Sequence, residues 1–193
     1  MKLARIIAGA AAVVLVPLAA WAHPGIPGHA HSFALGFAHP FSGFDHLLAM
    51  VAVGLFAARL GGRALWLVPL SFVSVMVLAA IAGMRGIALP FVEIGIALSV
   101  VALGLALAFQ ITVSVCLGAA LVAFFAVFHG YAHGAEMPAS MSGLSFGLGF
   151  VCATALLHAI GVGLGLMAAR TGGRAIQLGG AVMAVTGLAL VFS

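Results

Sequence analysis

Charge is what this sequence has least of. Asp, Glu, Lys and Arg make up 5% of its 193 residues, against about a quarter in an ordinary soluble domain. No water-facing surface can be assembled from so few charged side chains, so the solvent around most of the chain is lipid. Acidic residues are scarcest: Asp45, Glu93 and Glu136 are the whole set. The seven Lys and Arg sit at expected helix ends, where they act as topology signals and not as a nucleic-acid surface. Cysteine is almost absent. Cys116 and Cys152 lie in apolar runs without CxxC spacing, which excludes a disulfide framework, a zinc knuckle and a thiolate copper site. No Walker motif or nucleotide-binding segment is present.

What is there is apolar sequence, 65% of the chain, and 26 glycines that suit close helix packing in a bilayer. Lys2 and Arg5 form a short positive region, Ile6 to Ala19 an apolar one, and Ala20-Trp21-Ala22 an A-x-A cleavage site. The expected layout is a signal peptide at 1–22 and a single domain at 23–193. An uncleaved first helix is the alternative. Six further apolar stretches follow, at about 33–58, 64–83, 87–109, 112–133, 142–168 and 174–192, each long enough to cross roughly 30 Å of hydrocarbon. The expected fold class is therefore an all-α membrane protein, a six-transmembrane-helix bundle after a cleavable signal peptide. The break near Gln110 is the weakest of the dividers.

Arginine sets the expected topology. With the mature N-terminus in the periplasm, the first and fifth connections face the cytoplasm. They hold Arg59, Arg63, Arg170 and Arg174, against Arg85 on the outer loops, as the positive-inside rule requires. Six spans return the C-terminus to the periplasm. The segments Ala58 to Ala64 and Ala169 to Ala175 resemble each other, which fits either an ancestral repeat or two independent tight turns.

Ionisable groups at membrane depth are costly and are functional candidates by default. Asp45 belongs to His39-Pro40-Phe41-Ser42-Gly43-Phe44-Asp45-His46. In an unbroken helix His39 and His46 lie about 10 Å apart along the axis, too far for one ion. A break at Pro40 to Gly43 would fold His39 back onto Asp45 and His46. Imidazole with carboxylate suits nickel, cobalt, zinc or iron. The plainer reading is an Asp–His pair that ties helices together. The second cluster is Phe128-His129-Gly130-Tyr131-Ala132-His133-Gly134-Ala135-Glu136. Here His129 and His133 project from one helix face, one turn apart, and Glu136 extends the stripe. A surface pair at a helix end is its plainer reading.

His158 stands alone in an apolar helix. His46 lies 13 residues before Arg59 and His158 lies 12 before Arg170, so both rings sit roughly 18–20 Å from the arginine boundary. A shared midplane position makes His158 a candidate ligand or gate. His23, His29 and His31 form a Pro/Gly-spaced arm; after cleavage, the His23 imidazole and the new amine could chelate together. The alternative is a flexible lead-in with incidental histidines. Glu93 is compatible with pairing a His, relaying a proton or bridging Arg85.

The two motifs together, with the signal segment, the His-bearing N-terminus and the six spans, resemble the HupE/UreJ family of membrane proteins. The resemblance covers nearly the whole chain. It implies a permease for nickel, sometimes cobalt, tied to hydrogenase or urease maturation in the bacterial inner membrane. It carries His39, Asp45, His46, His129, His133 and Glu136 over as functional residues. The expected partners are a divalent ion, as cargo, and the bilayer, with no prosthetic group, no nucleic acid and no enzymatic activity. Uptake is expected to weaken as acid protonates the histidines.

Three other classes compete. A membrane cytochrome needs two histidines facing each other across haem from different helices, whereas His129 and His133 share one. A Ser–His protease would need Ser142 to reach His158, about four turns away on the same expected helix. A membrane metal sensor or store has the same ligands and no flux.

Overall fold

The computed structural model describes residues 28–137, 143–170 and 172–192, with side chains from residue 32 onward. The signal segment, its cleavage site and His23 lie outside the described residues, as do the side chains of His29 and His31. Among the described residues the fold is entirely helical. α1 (Gly28–Ala38) runs into a 3₁₀ turn at His39–Phe41, followed by α2 (Phe44–Leu60) and α3 (Ala64–Met84). The order continues with α4 (Val92–Ala108), α5 (Val115–Glu136), α6 (Gly143–Ala169) and α7 (Arg174–Val191).

Side-chain distribution is inverted relative to a soluble bundle. Leu78, Leu144, Val182, Val185 and Phe109 are among many large apolar residues on the outside. The interior holds Ser32, Ser99, Thr154, His129, His133 and His158. An apolar exterior is at equilibrium with lipid, and polar groups inside it must serve one another or a guest. The chain is a multi-pass membrane protein. α3, α5, α6 and α7 are long and apolar enough to cross, and α1 with α2 makes a fifth candidate, bent by 81° at its break. α4 is apolar but has 17 residues, a rise of about 25 Å.

The break near Gln110 is a true one. Gln110 takes a left-handed conformation, φ 52°, and the helix does not resume until Val115, where the Ser114 hydroxyl accepts from the Leu117 amide. Arg59 closes this corner by donating from Nη2 to the Gln110 carbonyl at 2.8 Å. The two similar turns also share a backbone: Gly61 and Gly62 have φ of 72° and 52°, Gly172 and Gly173 of 86° and 71°. Such angles favour glycine.

Helices pair mainly as α3 with α5, α4 with α7, and α6 with both α1 and α2. Close approach explains the first pair. A Cβ at Gly130 would run into the Met76 carbonyl, and one at Gly134 into that of Ala80. Small residues let the two backbones touch, which is how helices gain packing energy when lipid supplies no hydrophobic drive. These two glycines flank His133 on α5, so the packing also fixes where its ring stands.

Candidate metal centre

The site begins with the break between α1 and α2. Pro40 opens the 3₁₀ turn, and Ser42 donates to the His39 carbonyl from its hydroxyl at 2.6 Å and its amide at 3.0 Å. Gly43 is extended, φ −101° and ψ 122°, and α2 starts directly after it. The 81° bend takes His39 off the cylinder that carries His46. Asp45 falls in the first turn of α2, where the helix dipole favours a carboxylate.

Asp45 Oδ1 accepts twice from His46, from the backbone amide and from ring Nδ1, both at 2.8 Å. An ionised carboxylate only accepts, so His46 Nδ1 carries a hydrogen, and in the neutral ring Nε2 holds the lone pair. Room for this pair depends on Gly43: a Cβ there would stand 2.8 Å from Asp45 Oδ1 and 2.9 Å from His46 Nδ1.

His39 does not join Asp45 and His46 directly. Its Nε2 lies 3.5 Å from Glu136 Oε2, and its ring centroid 4.8 Å from that of His133. One ligand atom from each of His39, His133 and Glu136 fits within a 4.8 Å span. Ligands about 2.1 Å from a shared ion stand about 3–3.5 Å apart, so small side-chain movements close this triad on a cation. The donor set, two imidazoles and a carboxylate, is the one that suits nickel, cobalt, zinc or iron.

His133 also approaches His46, at 4.5 Å between centroids, and His46 approaches His129, at 5.1 Å. The two sequence motifs therefore form one continuous file, not two separate sites. Accessibility falls along it. The Glu136 side chain is 58% exposed and that of His39 29%, whereas His133 is 5% and His129 0% exposed. The aromatic walls are Phe146 beside His39 and Phe150, 4.1 Å from the His133 ring.

Beyond His129 the file meets Phe72. The Phe72 ring lies 5.6 Å from that of His129 and 5.2 Å from that of His158, so one phenyl group contacts both. His158 borders an open surface groove of about 420 Å³, lined otherwise by apolar residues including Pro69 of α3 and Ala155 of α6. Glu93 is exposed in the first turn of α4 and is no part of the file.

His133 and His158 have no hydrogen-bond partner in the protein at either ring nitrogen, His46 has none at Nε2, and His129 has none at Nδ1. Each unpartnered buried polar atom costs about 1–3 kcal/mol. Three buried imidazoles and the part-buried His46, all with unpartnered ring nitrogens, make a costly interior that a bound cation would relieve.

Ser99, whose hydroxyl lies 2.9 Å from His129 Nε2, and Phe72 were not legible as neighbours of the site in the sequence. A lone Ser in an apolar helix ordinarily bonds its own backbone, and a Phe in such a helix ordinarily packs. Only the placement of α3 and α4 against α5 reveals either role.

Residues 11–190 match the family described as HupE / UreJ protein. The chain is 44% identical to Protein HupE of Rhizobium leguminosarum bv. viciae over 193 residues, covering 96% of this chain and 100% of that one. No solved structure matches.

Proposed function

The chain belongs to the HupE/UreJ family, and from that premise we propose that it carries a divalent transition-metal ion, nickel first and cobalt second, across the bacterial inner membrane into the cytoplasm. The observation that carries the reading is the grouping of His39, His133 and Glu136 within 4.8 Å, at the accessible end of a file of buried histidines. In this reading the bent α1–α2 pair and the short α4 complete six spans, and the arginine-bearing turns at Arg59–Arg63 and Arg170–Arg174 face the cytoplasm. The mature N-terminus and the C-terminus are then periplasmic. Nickel delivered this way would supply hydrogenase or urease maturation, as the family resemblance implies.

The exposed carboxylate of Glu136 meets the hydrated ion and, with His39 and His133, replaces part of its water shell. His133, held by no hydrogen bond, passes the ion to His46 and His129. The negative charge of Asp45 lowers the cost of bringing a dication inside. The ion then passes Phe72 to His158 and onward to the cytoplasmic side. Neutral imidazoles supply lone pairs without adding charge, so the site need not exchange protons to hold the ion. Inward movement of a dication gains about 4.6 kcal/mol per 100 mV of membrane potential, which suffices as a driving force.

The test is uptake of radioactive nickel by cells producing the wild type, Asp45→Ala or His129→Ala, with cobalt, zinc and copper as competitors. Uptake that both substitutions abolish at unchanged protein level supports a permease with both motifs on its path. Tight metal binding without uptake by the wild type would replace it with a sensor or store.

A further inference from the structure

The buried hydroxyl of Ser99, on α4, touches the deepest ring of the histidine file. Its oxygen lies 2.6 Å from the Ile96 carbonyl and 2.9 Å from His129 Nε2. Two oxygens at 2.6 Å repel unless a hydrogen lies between them. Ser has one hydroxyl hydrogen, and the Ile96 carbonyl has none to offer. That hydrogen is therefore committed to Ile96, and towards His129 the Ser99 oxygen can only accept. His129 Nε2 must carry the ring hydrogen, and Nδ1, buried and unpartnered, holds the free lone pair.

This repeats, with the nitrogens exchanged, what Asp45 does to His46. There Nδ1 is pinned and Nε2 is bare. The two rings stand 5.1 Å apart at an interplanar angle of 85°. Histidines that hold metals commonly donate the other ring N–H to a fixed acceptor, which sets both tautomer and orientation. His133, the triad member that reaches His46, has neither nitrogen pinned.

We infer that Ser99 is a positioning residue of the metal path, which locks His129 into the Nε2–H tautomer so that it offers Nδ1 to the ion beside His46 Nε2. The inference rests on the transport reading for the identity of the guest, but the tautomer itself does not. Ser99 touches no ion. It acts through His129 and sets the inner stage, whereas the outer stage of His39, His133 and Glu136 is independent of it.

The test uses the full chain, purified in detergent without metal and labelled with ¹⁵N at histidine, with His129→Gln to assign the signals. Long-range ¹H–¹⁵N spectra of the wild type should show His129 protonated at Nε2 and bare at Nδ1. Ser99→Ala should release that preference and weaken nickel binding, followed by calorimetric titration, by about 10–100-fold. Ser99→Thr, which keeps the hydroxyl, should recover most of the affinity; a merely packing role would not distinguish Thr from Ala in this direction. A wild type protonated at Nδ1 overturns the inference, as does Ser99→Ala with unchanged nickel affinity. If Ser99→Ala fails to fold, the wild-type spectrum still decides. Wild-type protein that neither binds nor transports metal would sink the transport reading while leaving the tautomer readable.

Discussion

The ring of His39 stands 4.8 Å from that of His133, nearly perpendicular to it, although the two residues belong to different motifs and different helices. His39 reaches this position only because the chain turns by 81° after it. His133 reaches it because α5 is pressed against α3 at glycines on either side. His133 then touches His46 as well, which makes it the ring that links the outer triad to the inner pair.

His133→Ala should therefore be more damaging than His39→Ala. It removes a ligand from the triad and breaks the file at its middle. Loss of an outer-sphere partner alone costs about 10–100-fold in metal affinity, so loss of the shared ligand should bring nickel uptake to background. His39→Ala leaves the inner pair intact and should raise the half-saturating nickel concentration with measurable uptake remaining. Uptake kinetics at matched protein levels check the order, and equal defects would deny His133 its bridging position.

Glu136→Gln tests the outermost charge. The side chain is 58% exposed, so it acts on the approaching ion more than on the bound one. A focused negative charge raises local cation concentration by about tenfold or more, and the neutral amide should raise the half-saturating concentration by a similar factor. The defect should shrink as ionic strength rises, because salt screens an exposed charge. A defect independent of salt would place Glu136 in the coordination sphere alone.

Acid should inhibit. In the proposed path, any imidazole that holds the ion does so through a lone pair that a proton can also take. Protonation removes a ligand and adds a positive charge beside the cargo. Initial uptake should therefore fall, and not rise, as the medium is acidified, with the membrane potential held constant by ionophore. Uptake that rises on acidification would instead indicate proton-driven import.

Much of this was legible in the sequence. Helix ends fall within a few residues of the apolar run ends, because ordered backbone in lipid must bond internally. Pro40 and Gly43 announce the break between His39 and His46, and the spacing of His129 and His133 puts both on one face. Which helices abut was not legible. Periodicity describes one helix at a time, and every span here is apolar nearly all round. The sequence therefore grouped His39 with Asp45 and His46, whereas His39 stands against His133 and Glu136. His158 was matched to His46 by depth from the arginines, but the Phe72 ring that it meets belongs to a helix that depth counting does not consult.

Gly130→Ala should separate packing from ligation. Its added methyl overlaps the Met76 carbonyl, so α3 and α5 must part by about an ångström or more to restore ordinary contact. Overpacking of this kind costs about 1–3 kcal/mol. The thermal midpoint in detergent should fall, and the nickel affinity of the folded protein should fall with it, since His129 and His133 ride on the displaced helix. Gly179→Ala is the control: nothing lies within 4 Å of its would-be Cβ, and alanine is the better helix former by about 0.5–1 kcal/mol. It should be neutral or slightly stabilising.

The proposed path gives Asp45 two separable duties, and a pair of substitutions divides them. Its Oδ1 accepts from the amide and from Nδ1 of His46, and its charge favours a dication in the interior. Asp45→Asn keeps an acceptor oxygen of the same shape and removes the charge. Asp45→Leu removes both. If the charge carries the effect, both variants lose nickel affinity alike, and the His46 tautomer differs only in the Leu variant. If positioning carries it, the Asn variant stays close to wild type while the Leu variant loses about 10–100-fold. The buried cargo argues for the first outcome. An unneutralised dication costs several kcal/mol to desolvate, more than the orientation of one ring is worth, so Asp45→Asn should already abolish uptake. Nickel titration of both variants, read beside their ¹⁵N histidine spectra, separates the two.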